Sequence, residues 1–265
     1  MSPALMMNFE KSIKILDEND LNDDIINIDS CNFLTPTIIS HLMGFIYHNH
    51  KSIKKHDDNS INEYLHKVLG LKEHPDTTFP FRWLDEKSDN SSELTRDILS
   101  IMNPIKGLTQ ALQYIFSELI TNVYDHSDFD NGFVIGQYYP RLKSTDYCFM
   151  DNGISIPGSF KNSNITFEND CDAIIQAING KSTKECGGYI ERGTGLNTVT
   201  NMVTRGGNGN VLIASGEGVV ELTKNNIVTK QIPKNYIKGT LVSIRIKSDK
   251  AINIYDYLNP HTYEL

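Results

Sequence analysis

The chain has 265 residues, 39% of them apolar and 22% charged, and a formal net charge of −8 at pH 7. That composition belongs to a folded globular chain rather than a disordered one, and the acidic balance disfavours a broad phosphate-binding surface for DNA or RNA. No run approaches the roughly 18 apolar residues of a membrane-spanning helix, and the N-terminus lacks the charged-then-apolar pattern of a signal peptide. The four cysteines, Cys31, Cys148, Cys171 and Cys186, form no C-x-x-C pair and read as reduced thiols in a cytoplasmic protein.

In chain order, the short apolar run at 24–29 has the character of a strand. Phe33-Leu34-Thr35-Pro36 then leads into a helix with Ile39, Leu42, Met43 and Ile46 on one face. His41, His48 and His50 on and after that helix read as surface residues, and Lys51, Lys54 and Lys55 as a solvated loop. A second amphipathic helix carries Ile61, Tyr64, Leu65 and Val68. One strand and two helices make a small core, so this N-terminal part is expected to pack on the rest. A polar run, Asp-Glu-Lys-Ser-Asp-Asn-Ser at 85–91, reads as a linker.

Beyond it, helical periodicity extends over about 92–125, with a break near Pro104. The second half places Leu108, Ala111, Leu112, Ile115, Phe116, Leu119, Ile120 and Val123 on one stripe. Strands are expected at 133–139, 146–150, 210–214, 218–222 and 240–247, with helices at about 170–179 and 196–205. The pattern predicts an α+β fold in which a mixed sheet carries helices over one face. The expected division is a small α/β region at 1–84, a main domain at 92–250 and a C-terminal tail at 251–265.

Four short patterns carry chemistry. Glu118 and Asn122 lie four apart on the long helix, with Asp125 continuing the row. A carboxylate there can orient or deprotonate water, and an amide oxygen can ligate Mg²⁺. Asp151-Asn152-Gly153 ends a buried strand with a sharp turn, where a carboxylate can accept from an exocyclic amine and glycine lets a base approach. Read alone, it is a plain Asp-Asn-Gly turn. Arg192-Gly193-Thr194-Gly195-Leu196-Asn197 precedes a helix, where exposed N–H groups receive phosphate oxygens. It has neither Rossmann nor Walker A spacing. Lys238-Gly239-Thr240 opens the last strand.

The order Glu118-Leu-Ile-Thr-Asn122, Asp151-Asn-Gly153, Gly193-Thr-Gly195-Leu196 and Gly239-Thr240 resembles the four motifs of the GHKL, or Bergerat-fold, ATPases, and 117–125 resembles the Hsp90 version. The resemblance implies a Bergerat-type two-layer α/β sandwich that binds ATP and Mg²⁺. Asp151 would receive the adenine amine, with Gly153 beside the base and Thr240 near it. Asn122 would hold Mg²⁺, and Gly193, Thr194, Gly195, Leu196 and Asn197 would surround the phosphates. Glu118 would be the general base, and 155–192 the ATP lid, with Lys181 or Arg192 reaching a phosphate. Ser155 stands where the family has a second glycine, and Asp125 extends the site row.

The N-terminal region bears a fainter likeness to STAS-like domains, resting on its strand, the 33–36 turn and Glu63-Tyr64-Leu65. The phosphoacceptor Asp-Ser pattern is absent there, and Thr35 or Thr37 is the remaining site for modification. Three readings stay open: an ATPase or anti-sigma-type Ser/Thr kinase, a non-catalytic ATP-gated interaction module, and a decayed site. The expected partners are ATP and a regulatory protein, with a homodimer as a candidate assembly.

Overall fold

A computed structural model describes residues 4–73, 76–84, 91–101, 105, 107–126, 129–181, 183, 195–234 and 236–258, with the backbone alone at 91, 125 and 126. Helix α1 spans Leu5–Asp17, β1 Ile25–Ile26, α2 Pro36–His48, β2 Ser52–Ile53, α3 Asn59–Val68 and β3 Thr78–Leu84. After α4 (Ser91–Ser100) and α5 (Thr109–His126) come β4 (Gly132–Tyr139), β5 (Ser144–Asp151), α6 (Ile156–Asn162) and α7 (Asp170–Ile178). Helix α8 (Gly195–Asn201) runs into a π-helical turn, Met202–Gly206. The chain closes with β6 (Asn210–Ser215), β7 (Gly218–Leu222), β8 (Ile227–Gln231), β9 (Thr240–Lys247) and α9 (Tyr255–Leu258).

Seven strands form one sheet in the order β3-β4-β5-β9-β6-β7-β8, and every pairing is antiparallel. The expected mixed sheet is therefore corrected. Parallel pairing occurs between β1 and β2, which form a separate two-stranded sheet.

The sheet is covered on both sides. Val134, Tyr147, Phe149, Ile213 and Ile244 pack against α5, α7 and α8. Their neighbours one residue away, Phe133, Ile135, Cys148, Met150, Leu212 and Leu241, pack against α1, α2 and α3. The sheet and the helices from α4 onward form the two layers expected of the α+β class. Helices α1–α3 add a third, which corrects the expectation of helices over one face. The reason is visible in β5 and β6, where Cys-Phe-Met and Val-Leu-Ile-Ala run apolar without alternation because both sides are buried.

The expected boundaries also move. Strand β3 lies within the N-terminal region yet pairs with β4, and α1–α3 share a core with the main sheet as expected. Residues 251–258 are no free tail. Ile252 is buried, and Ile254, Tyr257 and Leu258 pack on the core around α5.

Local chemistry accounts for the helix ends. Thr35 caps α2 ahead of Pro36, and Asp58 caps α3. Thr35 and Thr37 are buried, and Thr37 Oγ1 lies 2.8 Å from Ser243 Oγ. Both are structural, which corrects their reading as modification sites. His41 is also buried, with Ser12 Oγ 2.7 Å from Nδ1 and the Tyr236 carbonyl 3.0 Å from Nε2, so it is not a surface histidine. Cys31, Cys148 and Cys171 are free and buried. Among the described residues no helix is long and apolar enough to cross a membrane.

Helix α1 has no side-chain cap of its own at Ala4. The N–H groups of Leu5 and Met6 instead donate to the two carboxylate oxygens of Glu221 on β7, at 3.1 and 2.9 Å, and Asn210 Nδ2 donates to the same carboxylate. Glu221 is only 3% exposed, so these bonds satisfy a buried charge at the positive end of the helix dipole. Replacing Glu221 with Ala is expected to lower stability by about 2–3 kcal/mol, since it orphans two buried N–H groups. Urea denaturation of the variant checks this, and Glu221→Gln, which keeps one acceptor, is expected to lose less.

Candidate functional site

One row of register partners crosses the sheet at the end where β5 stops: Leu84, Gly132, Asp151, Thr240, Ser215, Gly218 and Gln231. By strand alternation Asp151, Thr240 and Ser215 lie on the α5 side, the face of Phe149, Val242 and Ile213. Three short polar side chains in line, between two glycines, leave the sheet surface low at this point. Helix α5 ends close to the same edge, because Gly132 follows His126 by six residues and pairs with Asp151. Asn122 and Glu118 thus sit one and two turns back from this end.

The row is tightly bonded. Ser215 donates to the Gly239 carbonyl at 3.1 Å and accepts from the Ile156 N–H at 2.9 Å. Its Oγ also lies 2.9 Å from Thr240 Oγ1. A hydroxyl has one proton, so with Ser215 donating to Gly239 the Thr240 hydroxyl is the donor in their shared bond. Ser215 thereby ties the ends of β6 and β9 to the start of α6. The sequence offered no sign of this role, since a serine ending a strand is unremarkable by itself.

Asp151 is buried, 4% exposed. Its Oδ1 accepts the Gly153 N–H at 2.9 Å, the Asx-type turn that Asp-Asn-Gly favours. Asn152 closes the turn from the other side, accepting the N–H groups of Asp130 and Asn131. Burial pushes the Asp151 carboxyl up from 3.8 to about 7, partly offset by the Gly153 and Thr240 backbone N–H groups. Gly239 fits closely below it. Its φ is 80°, and a Cβ there would overlap the Asp151 carbonyl oxygen and stand 2.7 Å from Oδ1. Only glycine satisfies both the left-handed backbone and the contact.

A second group forms between α5 and α8. Tyr114, Glu118 and Asn122 make one ridge of α5 at helical spacing, and all three are half-buried. Tyr114 lies beside Glu118 and beside Thr198 of α8, and both act on its hydroxyl. Burial first, then the Glu118 charge, pushes the Tyr114 hydroxyl up to about 12. Glu118 reaches the first residue of α8, for a Cβ on Gly195 would overlap Oε2 and lie 3.2 Å from Cδ. Residues far apart in sequence are thus brought into contact, and Tyr114 and Thr198 join the expected set. Tyr114 was detectable as the residue one turn before Glu118.

Other expected residues fall elsewhere. Ser155 is the N-cap of α6, with φ −65° and ψ 160°, accepting the Gly158 N–H at 3.1 Å, so nothing there calls for glycine. Leu196 packs on the core. Asn197 donates to the Ile178 carbonyl at 2.9 Å and fastens α8 to α7. Lys181 is exposed and donates to Gln176 at 2.8 Å. The expected lid is shortened, because Cys171, Ala173, Ile174 and Ile178 of α7 are buried in the core. Arg192, Gly193, Thr194 and the Asp125 side chain lie outside the described residues.

Comparison of the chain with protein-family models, curated proteins and solved structures returned no match.

A carboxyl raised to about 7 makes the ligand-free protein pH-dependent. The folded state holds the Asp151 proton more tightly than the unfolded state. Its contribution to stability is therefore complete below about pH 4 and is lost as pH rises through 7. Asp151→Asn is expected to stabilise the ligand-free protein above pH 7, by up to about 4 kcal/mol, and to change little near pH 4. Denaturant unfolding at the two pH values tests this; equal effects at both would refute the desolvation of Asp151.

Proposed function

We propose that this chain is a regulatory protein of the GHKL, or Bergerat-fold, type. In this reading it binds Mg-ATP in the cytoplasm and uses it slowly, by hydrolysis or by phosphorylating a serine or threonine of a protein partner. The observation that carries the reading is the row Asp151–Thr240–Ser215, with a desolvated carboxyl fixed over Gly239 beside the open end of α5. A buried carboxylate with its geometry set by backbone N–H groups is suited to accept a hydrogen bond from an exocyclic amine, and the low surface beside it suits a flat base. Thr240, whose proton is directed at Ser215, keeps acceptor lone pairs for the same ligand.

The chain's own groups then divide the work. Asp151 holds the adenine amine, with Gly153 and Thr240 next to the base. Asn122 supplies an oxygen to Mg²⁺, and Gly195 with the residues before it receives the phosphates. When bound, Mg-ATP supplies a transferable phosphoryl group and much of the charge neutralisation its transfer needs. Glu118 takes the proton of the attacking water or protein hydroxyl, with Tyr114 beside its carboxylate.

The packing of the Glu118 carboxylate against Gly195 also favours a second reading, in which the same site is a non-catalytic, ATP-gated interaction module. A homodimer and an external regulatory partner fit either reading.

Release of γ-phosphate and label transfer to protein are the readouts that separate the two. With Glu118→Gln, turnover is expected to fall about 10²-fold or more while Mg-ATP binding persists. Binding without turnover in either protein would establish the second reading. Absence of Mg-ATP binding, or turnover unchanged in the variant, would overturn the proposal. Gly239→Ala is expected to abolish binding, because its Cβ displaces Asp151.

A further inference from the structure

A second cleft of about 370 Å³ opens on the far side of α8, between the end of α7, the α8–π segment and the β7–β8 turn. Its volume falls within the range of small-ligand pockets, roughly 300–1,000 Å³. None of the row residues Asp151, Thr240 or Ser215 lines it, and neither does Glu118.

The helix wall is unusual. Asn197, Thr200, Asn201, Thr204 and Arg205 recur at the spacing of one helical stripe and all line the cleft. Such a stripe on a helix wedged between two other elements is normally apolar. Here the polar groups have committed donors: Asn201 Nδ2 gives to Asn197 Oδ1 at 3.0 Å, Thr200 Oγ1 to the Asn197 carbonyl at 2.9 Å, and Thr204 Oγ1 to the Thr200 carbonyl at 2.7 Å. These bonds use the threonine protons and one amide proton each of Asn197 and Asn201, so each of these amides keeps a second proton and Asn201 keeps its acceptor oxygen. With Thr200 and Thr204 buried, the half-buried Asn197 and Asn201 offer the cleft both donors and an acceptor, a combination suited to ligand hydroxyl groups.

The charge is one-sided. Among the described residues fourteen line the cleft; Arg205 and Lys224 are among them, and no Asp or Glu is. In a chain with 33 acidic and 25 basic residues, that local balance selects an anion. Ile178 and Leu222 supply an apolar patch. Arg205 stands on the π-helical turn, closed by the Gly207 N–H donating to Met202 at 2.8 Å. Such turns recur at functional sites because they give up regular α-helical bonding.

From amide donors and acceptors, two cations and a small apolar patch together, we infer that this cleft binds a small phosphorylated sugar. Its hydroxyl groups pair with the amides of Asn197 and Asn201, and its phosphate is held by Arg205 and Lys224. The site is separate from the proposed nucleotide site but shares α8 with it, since the Gly195 end of that helix meets Glu118.

The test is calorimetric titration of the full chain, without ATP, using glucose 6-phosphate as the probe, with glucose and inorganic phosphate as controls. Saturable binding of the sugar phosphate is expected, at least about tenfold tighter than either control. It is expected to disappear in Arg205→Ser/Lys224→Ser, whose altered side chains are exposed, and to persist in Asp151→Asn. Persistence in Asp151→Asn keeps this result independent of the nucleotide proposal. Absence of saturable binding, equal binding of inorganic phosphate, or binding unaffected by the double substitution would overturn the inference.

Discussion

The structure turns on a carboxyl group held where water cannot reach it. Asp151 ends β5 in the row with Thr240 and Ser215, and its position is fixed from below by Gly239 and from the side by the Gly153 N–H. Ordinary folding would avoid this arrangement, because burying a carboxylate without a cation is costly. The chain keeps it and raises the proton affinity of the group instead. Stability spent at one position of this kind is characteristic of sites shaped for a ligand rather than for the fold.

What makes that placement rigid is the sheet, and what makes the sheet rigid is its burial on two sides. Helices α1–α3 cover the face opposite α5, anchored by the Glu221 carboxylate at the start of α1. On the same face a buried pair, Arg245 with Asp146, joins β9 to β5, with Nε–Oδ1 and Nη2–Oδ2 both at 2.6 Å. Both ties act on strands β5, β7 and β9, all of which carry the row. The N-terminal residues are therefore part of the site's foundation rather than an appended module.

Much of this was legible in the sequence. The stripe from Leu108 to Val123 marks α5, and the strands at β4, β5, β6, β7 and β9 announced themselves by apolar runs bounded by turns. The parts that escaped have physical reasons. Strand β3 contains Pro80 and ends beside a polar run, and edge strand β8, with every residue exposed, lacks an apolar face to read. Helix α1 carries Leu5, Phe9, Ile13 and Leu16 at helical spacing but no capping residue, because its cap comes from Glu221. At the site, Glu118, Asp151 and Thr240 could be singled out by the order of short motifs that resembles a family pattern, whereas Ser215 and Thr198 enter only through pairings between distant segments. Ser155 misled for the opposite reason: a family pattern asked for glycine where the backbone asks only for a helix cap.

The most direct test of the account is the affinity of Mg-ATP for the wild-type chain and for Asp151→Asn, titrated side by side at pH 8, where the wild-type carboxyl is ionised. The account predicts that the wild type binds and that the variant, though folded, binds about ten- to a hundredfold more weakly, the loss of one charge-assisted hydrogen bond. Equal affinity in the two proteins would contradict it, because the buried carboxyl would then have no part in holding the nucleotide.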